Sequence, residues 1–485
     1  MNVLSRGVLP VALFATGLSH AADFSSFAPV ARDVKVEQAV ASGDLTIAFD
    51  LDVPAIVTLD VLTNATDAAD GWASVGLENL TALSGPVNRL VSETGRQTVT
   101  WTPEKELWPG LSREDVGRIR LKPGNLRAVV TTWSPKCPPE FMVIDLAAPA
   151  DIRYYAARTP VETSLPGGLA ADAYKTDFLV MRRCDAGRFH EGASTEPAVW
   201  NMSKKPGHSV TLTHDFYIGV FEFTQGQYKR LTGQEWNCWF GKARRPNDYL
   251  KLPIDGGTSS NASGSGLTYA KLRGTDFAAD AVADGTLLAT LRERLGLAVD
   301  LPTVAQWERA YRGGEAGYSS FPDGLGAYAD TASDETHARA ARFCWYEKNS
   351  PMDGEAQPHV VGTRDPNPWG IYDMGGNVFE YCRDPLPAYD GSSSPGASDL
   401  NLAWYVELAS NPEKAVDPDA THAASPSTAV AIRGGSYGSG VNQVAAFSHE
   451  AIGGTGWSSS KQGFRLCLTL TTDDADNLQG KGDRQ

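Results

Sequence analysis

The chain is short of positive charge: across 485 residues, 43 Lys and Arg stand against 58 Asp and Glu, a formal net charge of −15. A surface with that balance repels phosphate backbones and anionic lipid, so nucleic acid is not expected as a partner. Long apolar runs are missing too. The apolar stretch 7–18 (GVLPVALFATGL) falls short of the roughly 20 residues that span a bilayer as a helix, and no integral membrane segment is expected. The six cysteines, Cys137, Cys184, Cys238, Cys344, Cys382 and Cys467, contain no CxxC pair, which argues against zinc-ribbon and thioredoxin-like sites. They leave up to three disulfides open without deciding any pairing. There is also no P-loop and no dinucleotide fingerprint. What the chain has in surplus is Gly, 48 residues, together with 12 Trp, a mixture that points to a loop-rich fold with large aromatic anchors.

Residues 1–21 read as a secretory signal. Arg6 supplies the positive start, 7–18 the apolar middle, and Ser19-His20-Ala21 a small-residue cleavage pattern. An exported protein is therefore expected, whether periplasmic, cell-surface or secreted. Residues 24–155 read as an all-β domain. Leu45, Ile47, Phe49 and Leu51 alternate with polar or small neighbours, and 56–62, 97–101 and 126–133 continue the strand texture. With no convincing helix among them, an immunoglobulin-like sandwich is the natural expectation. Residues 156–176, rich in Pro, Gly and Ala, form a linker. Beyond it come short capped helices: Thr224 with Gln227 and Thr303 with Gln306 are capping-box pairs, and 286–296 reads as a third helix. The predicted class of this second domain, 177–470, is α+β, and 471–485 form a polar tail.

Five stretches of the second domain occur in a telling order: DFYIGVFEFTQGQY at 215–228, LPTVAQWERAYRGG at 301–314, NPWGIYDMGGNVFEYCRD at 367–384, IRGGSY at 432–437 and GFRL at 463–466. Together they resemble the sulfatase-modifying-factor, or formylglycine-generating-enzyme, family, whose domain is a variant of the C-type lectin fold. The resemblance covers about 177–470. In that family the turn matching 373–380 binds calcium, which implies Asp373, Gly376, Val378 and Glu380 as ligands, with Gly376 and Val378 offering carbonyl oxygens. Calcium is thus the expected ion, and hard oxygen donors beside glycines suit it. Arg433 and Arg465, next to glycines, are expected to be buried partners of acids or carbonyls. Trp307 and Trp369 read as core anchors.

The resemblance also implies where catalysis would sit. Aerobic members oxidise a substrate cysteine with two cysteines that hold copper(I), placed shortly after the GGSY motif. Those positions fall near Val444 and His449, and no cysteine lies between Cys382 and Cys467. Copper is therefore not expected, because the soft thiolates it requires are absent. Iron-dependent relatives use an HxxxHxE pattern, which the eight His here do not form. Gly434–Gly438 fits G-x-S-x-G, but no acid-then-His order follows at useful spacing, so Ser436 reads as structural. The expectation is a calcium-stabilised binding module for a protein, peptide or glycan ligand, with Tyr437, Phe447, His449 and Trp457 as contact residues. The alternative is an enzyme of the same superfamily modifying a peptide or protein by an unrecognised mechanism.

Overall fold

The computed structural model describes residues 29–39, 43–64, 71–76, 80, 83–103, 126–147, 150–156, 168–192, 207–257, 266–277, 281–314, 319–326, 332–386, 415–418, 429–452 and 454–471. The predicted signal 1–21, most of the linker and all but Thr471 of the tail lie outside them. The chain forms two units. One comprises residues up to 141 with 152–158 and 163–170, and the other 142–151, 159–162 and everything from 171 onward.

Described residues of the first unit carry strands and no helix. Leu45–Leu51 buries every second residue, the pattern its alternation dictates. It pairs with Ala31–Gln38 on one side and Gly95–Trp101 on the other. Ala55–Asn64 centres the second sheet, pairing with Trp72–Ser74, Arg89–Val91 and Leu126–Trp133. Ile47, Phe49, Val99 and Trp101 from one sheet share a core with Val57, Leu59 and Val61 from the other. The strand at 126–133 falls where the sequence placed it.

In the second unit, Phe141–Asp145, Phe178–Cys184, Phe216–Gly219 and Cys467–Thr469 lie side by side in that order. A second sheet runs His449–Ile452, Ala429–Arg433, Phe379–Leu386, Gln462–Gly463. Its central strand joins three of the five motifs: Glu380 stands opposite Arg433 on one side and Gly463 on the other. Gly187–Glu191 and His208–Leu212 make a separate hairpin.

Helix Val304–Tyr311 sits among these strands with all eight residues buried. A buried helix must have its end groups satisfied within the protein, and here each end is. Thr303 Oγ1 accepts from Gln306 N at 3.1 Å, and Gln306 Oε1 accepts from Thr303 N at 3.0 Å. Asp384 Oδ2 accepts from Val304 N at 2.6 Å, adding negative charge at the N-terminus. At the far end Asn367 Nδ2 donates to the carbonyls of Ala310 and Tyr311 at 2.6 and 3.2 Å. The sequence pattern predicts one apolar face on this helix. The structure instead buries it on every side, because Glu308, Arg309 and Gln306 all find partners inside.

Gln225–Thr232 and Leu287–Leu295 take the capped forms expected of them. Gly233 and Gly296 adopt the left-handed conformation at their C-termini. Asp334–Phe343, capped by Ser333 and carrying two acids in its first turn, was not anticipated; its sparse apolar pattern hides it. Removing the cap of the buried helix should cost more than its size implies. Thr303→Ala is expected to lower unfolding free energy by about 1–2 kcal/mol, read from denaturant midpoints. A change below a few tenths would show that the Asp384 contact alone suffices.

Candidate functional site

The MGGN turn is built from left-handed backbone. Asp373, Gly376 and Asn377 have φ of 54°, 79° and 54°, conformations that Gly takes freely and Asn or Asp tolerate. At Gly376 a side chain has no room, since a Cβ there would lie 2.1 Å from the Trp345 carbonyl oxygen. That close approach lets Asn377 N donate to Trp345 O at 2.8 Å, while Gly376 N donates to Gly434 O at 2.7 Å.

Buried side chains then lock the turn. Glu222 accepts from Asn377 Nδ2 at 2.6 Å and from Val378 N at 3.0 Å. Asn377 continues the network, bonding both the N–H and the carbonyl of His359. Glu380 receives Arg465 on both oxygens, at 2.6 Å from Nε and 2.5 Å from Nη2. Trp307 Nε1 donates to the same carboxylate at 2.7 Å. Arg465 spends its remaining donors on the carbonyls of Gly219, Tyr372 and Asp373. Both arginines expected to be buried partners are so, and Trp307 is a fully buried anchor under Arg433, whose guanidinium carbon lies 4.7 Å from the ring centroid.

Three buried carboxylates thus share one region, with Arg465 as their principal cation and Lys175 a lesser one. Burial, reinforced by Asp373 and Glu380, pushes the Glu222 carboxyl well above its usual range. Asp373 rises to about 6, again chiefly through burial. One of its oxygens accepts from Gly362 N at 2.6 Å, while the other, Oδ1, is buried with no hydrogen-bond partner among the described residues. A cavity of about 10 Å³ is lined by Asp373 together with Tyr311, Asn367, Ile371, Met374 and Gly375 among others. That is space for a single water-sized species.

The donor set implied for calcium suits a hard cation in part. Asp373 offers a free oxygen. Glu380 has about four lone-pair positions, of which Arg465 and Trp307 take three, leaving one on Oε1. Gly376 and Val378 stand in the same turn, their amides already engaged.

The four residues expected to contact a ligand separate into different settings. Tyr437 is buried: its hydroxyl bonds Ser460 Oγ at 2.9 Å and its ring meets the edge of Phe240. Phe447 is buried among Phe321, Phe343, Tyr346 and Val444. His449 is 5% exposed and faces carboxylates. The expectation that these three form a surface face is corrected by their burial, since each ring completes a core or a polar network. Trp457 differs, at 43% exposure, with its carbonyl held by the Tyr381 hydroxyl at 3.2 Å. Ser436 is fully buried and bonds Ser439, as a structural serine would.

His449 belongs to a cluster that sequence reasoning missed. Glu308 accepts from Arg312 and from Gly192 N on one oxygen and from Arg433 on the other. Burial alone would raise its carboxyl, but Arg312 and Arg433 outweigh that and hold it well below the usual range. The i,i+4 spacing of Glu308 and Arg312 was the available signal. Nothing in the sequence placed Glu191 or His208 beside them.

No two of the six cysteines are joined in a disulfide; Cys137 is exposed and the other five are buried. Burial pushes all five buried thiols up, Cys344 to about 12. Val444 is buried, and its carbonyl receives the Tyr311 hydroxyl at 2.8 Å.

Parts of this chain are similar to known proteins. A stretch of Chlamydia pneumoniae serine/threonine-protein kinase pkn1 is 28% identical over 197 residues, 37% of this chain and 24% of that protein. The chain thus spans about a quarter of that relative's length. Chaperone protein LppX of Paenibacillus barcinonensis is 27% identical over 201 residues, 40% of this chain and 69% of that one. Among solved structures, PvdO from Pseudomonas aeruginosa matches at 20% identity and a TM-score of 0.36, covering 60% of this chain and 94% of its own. Treponema denticola variable protein 1 matches at 19% and 0.35, covering 60% and 95%. The model of the sulfatase-modifying factor enzyme 1-like domain matches residues 171–470, well over half the chain, and the chain belongs to that family.

Proposed function

We propose that this is an exported member of the family whose domain has given up the copper oxidase and serves as a calcium-stabilised binding module. The observation that carries the reading is the thiol inventory. No cysteine occurs between Cys382 and Cys467, and each cysteine of the domain is buried and held protonated. Copper(I) needs accessible thiolates, and this donor chemistry does not supply them. Export rests on Arg6 and the apolar stretch after it. No helix among the described residues is long and apolar enough to cross a membrane.

Calcium would be held by Asp373 and Glu380 with the carbonyls of Gly376 and Val378. It would supply positive charge to a region where carboxylates outnumber their buried cations. The support is the partnerless Asp373 oxygen and the raised Glu222 and Asp373 carboxyls. Trp457 is the exposed aromatic of the closing segment and the proposed contact for a protein, peptide or glycan, since its flat face gains area at low entropic cost. The N-terminal unit, two sheets around one core, fits an immunoglobulin-like spacer.

Two outcomes check the reading. Calcium at a hundredfold excess over its dissociation constant should stabilise the chain by about 2.7 kcal/mol relative to chelator, and Asp373→Ala should abolish that difference. Equal melting temperatures in calcium and chelator for the parent chain would remove calcium from the account. Incubated with copper(I), oxygen and a sulfatase-type cysteine peptide, the chain should leave the peptide mass unchanged. A thiol-to-aldehyde conversion would restore the oxidase.

A further inference from the structure

A second group of ligating side chains lies apart from the MGGN turn. Glu191 ends strand Gly187–Glu191, Glu308 lies in helix Val304–Tyr311, and His449 opens strand His449–Ile452. One donor atom from each lies within 4.8 Å of the other two, and all three residues are buried. His449 Nε2 is 3.5 Å from Glu308 Oε2 and 3.8 Å from Glu191 Oε1.

The contacts of Glu308 differ in closeness. The arginines touch Glu308 at 2.5 and 2.6 Å, as close charge-assisted hydrogen bonds do. The imidazole keeps further off than the 2.7–3.2 Å of ordinary N–H···O geometry. Around a divalent ion with ligands at about 2.0–2.2 Å, neighbouring donors of a tetrahedron stand about 3.3–3.6 Å apart. The 3.5 Å from His449 to Glu308 falls in that range, the 3.8 Å to Glu191 lies just outside it, and one donor atom of each residue is within 4.8 Å of the others, close enough for an ion to draw them together.

We propose that Glu191, Glu308 and His449 form a binding site for a divalent first-row transition ion, zinc being the simplest case. One imidazole and two carboxylates suit such ions and leave a fourth position open. The surroundings resemble an outer shell. Arg312 and Arg433 fix the Glu308 carboxylate, and His208 Nε2 stands 3.9 Å from the second oxygen of Glu191. Glu308 Oε2 carries one arginine bond, which leaves it a lone pair for metal. Because the two guanidiniums already balance charge here, adding a dication is costly. The site therefore binds more weakly than an all-cysteine or cysteine–histidine structural centre.

The full chain, stripped with chelator and dialysed, is titrated with zinc alone and metal is counted by equilibrium dialysis. The expected result is one zinc per chain, falling at least tenfold in occupancy at the same free zinc for Glu191→Gln and for His449→Gln, and persisting in Asp373→Ala. Melting curves show which variants are folded. Cobalt(II) bound to the unmutated chain is expected to give the visible bands of nitrogen and oxygen ligation without a thiolate charge-transfer band. That readout decides the matter even where a buried substitution prevents folding. No zinc uptake by the parent chain, equal uptake by a folded Glu191 or His449 variant, or a thiolate band would overturn the site.

Discussion

One buried ion pair organises the second unit. Glu380 and Arg465 lie 85 residues apart in sequence and meet through two short bonds inside the protein. Neither charge is tolerable there alone, because an isolated buried ion is severely penalised. Their pairing therefore obliges the strand of Glu380, the GFR segment of Arg465 and the Trp307 helix to assemble together. Arg465 then collects the carbonyls of Gly219, Tyr372 and Asp373. Burying such a pair is weak evidence of stability gained over an apolar core, but breaking one half of it is costly.

The same constraint explains why the recognisable motifs are rich in Gly, Asn and charged residues rather than in core aliphatics. Loops that pass through the interior must satisfy their own backbone. Asn377, Asn367 and Glu222 do this here, each bonding peptide groups far away in sequence. No cysteine lies between the GGSY motif and Cys467. Fold alone does not fix function.

Much of this was legible in the sequence because it is local. The capping boxes at Thr224 and Thr303 and the alternation at 45–51 depend on residues a few positions apart, and they appear as expected. The MGGN turn was equally visible, since its glycines carry the signal. Partners across long separations were not. That Glu380 would spend three of its acceptor positions on Arg465 and Trp307 follows from sheet register, which no spacing rule supplies. Burial misled most clearly at Tyr437, Phe447 and His449. A polar or aromatic residue near a family's groove reads as a contact residue, yet each of these turns inward to Ser460, to an aromatic cluster or to two glutamates. The Glu191–His208 side of that last cluster had no sequence signal at all.

A double-mutant cycle on the central pair tests the account most directly. Denaturant unfolding of Glu380→Gln, Arg465→Met and the double variant is compared with the parent chain. The prediction is that each single change costs about 3–5 kcal/mol, and that the double costs clearly less than their sum because no charge is left stranded. Single changes below about 1 kcal/mol, or strict additivity, would contradict the claim that this pair holds the unit together.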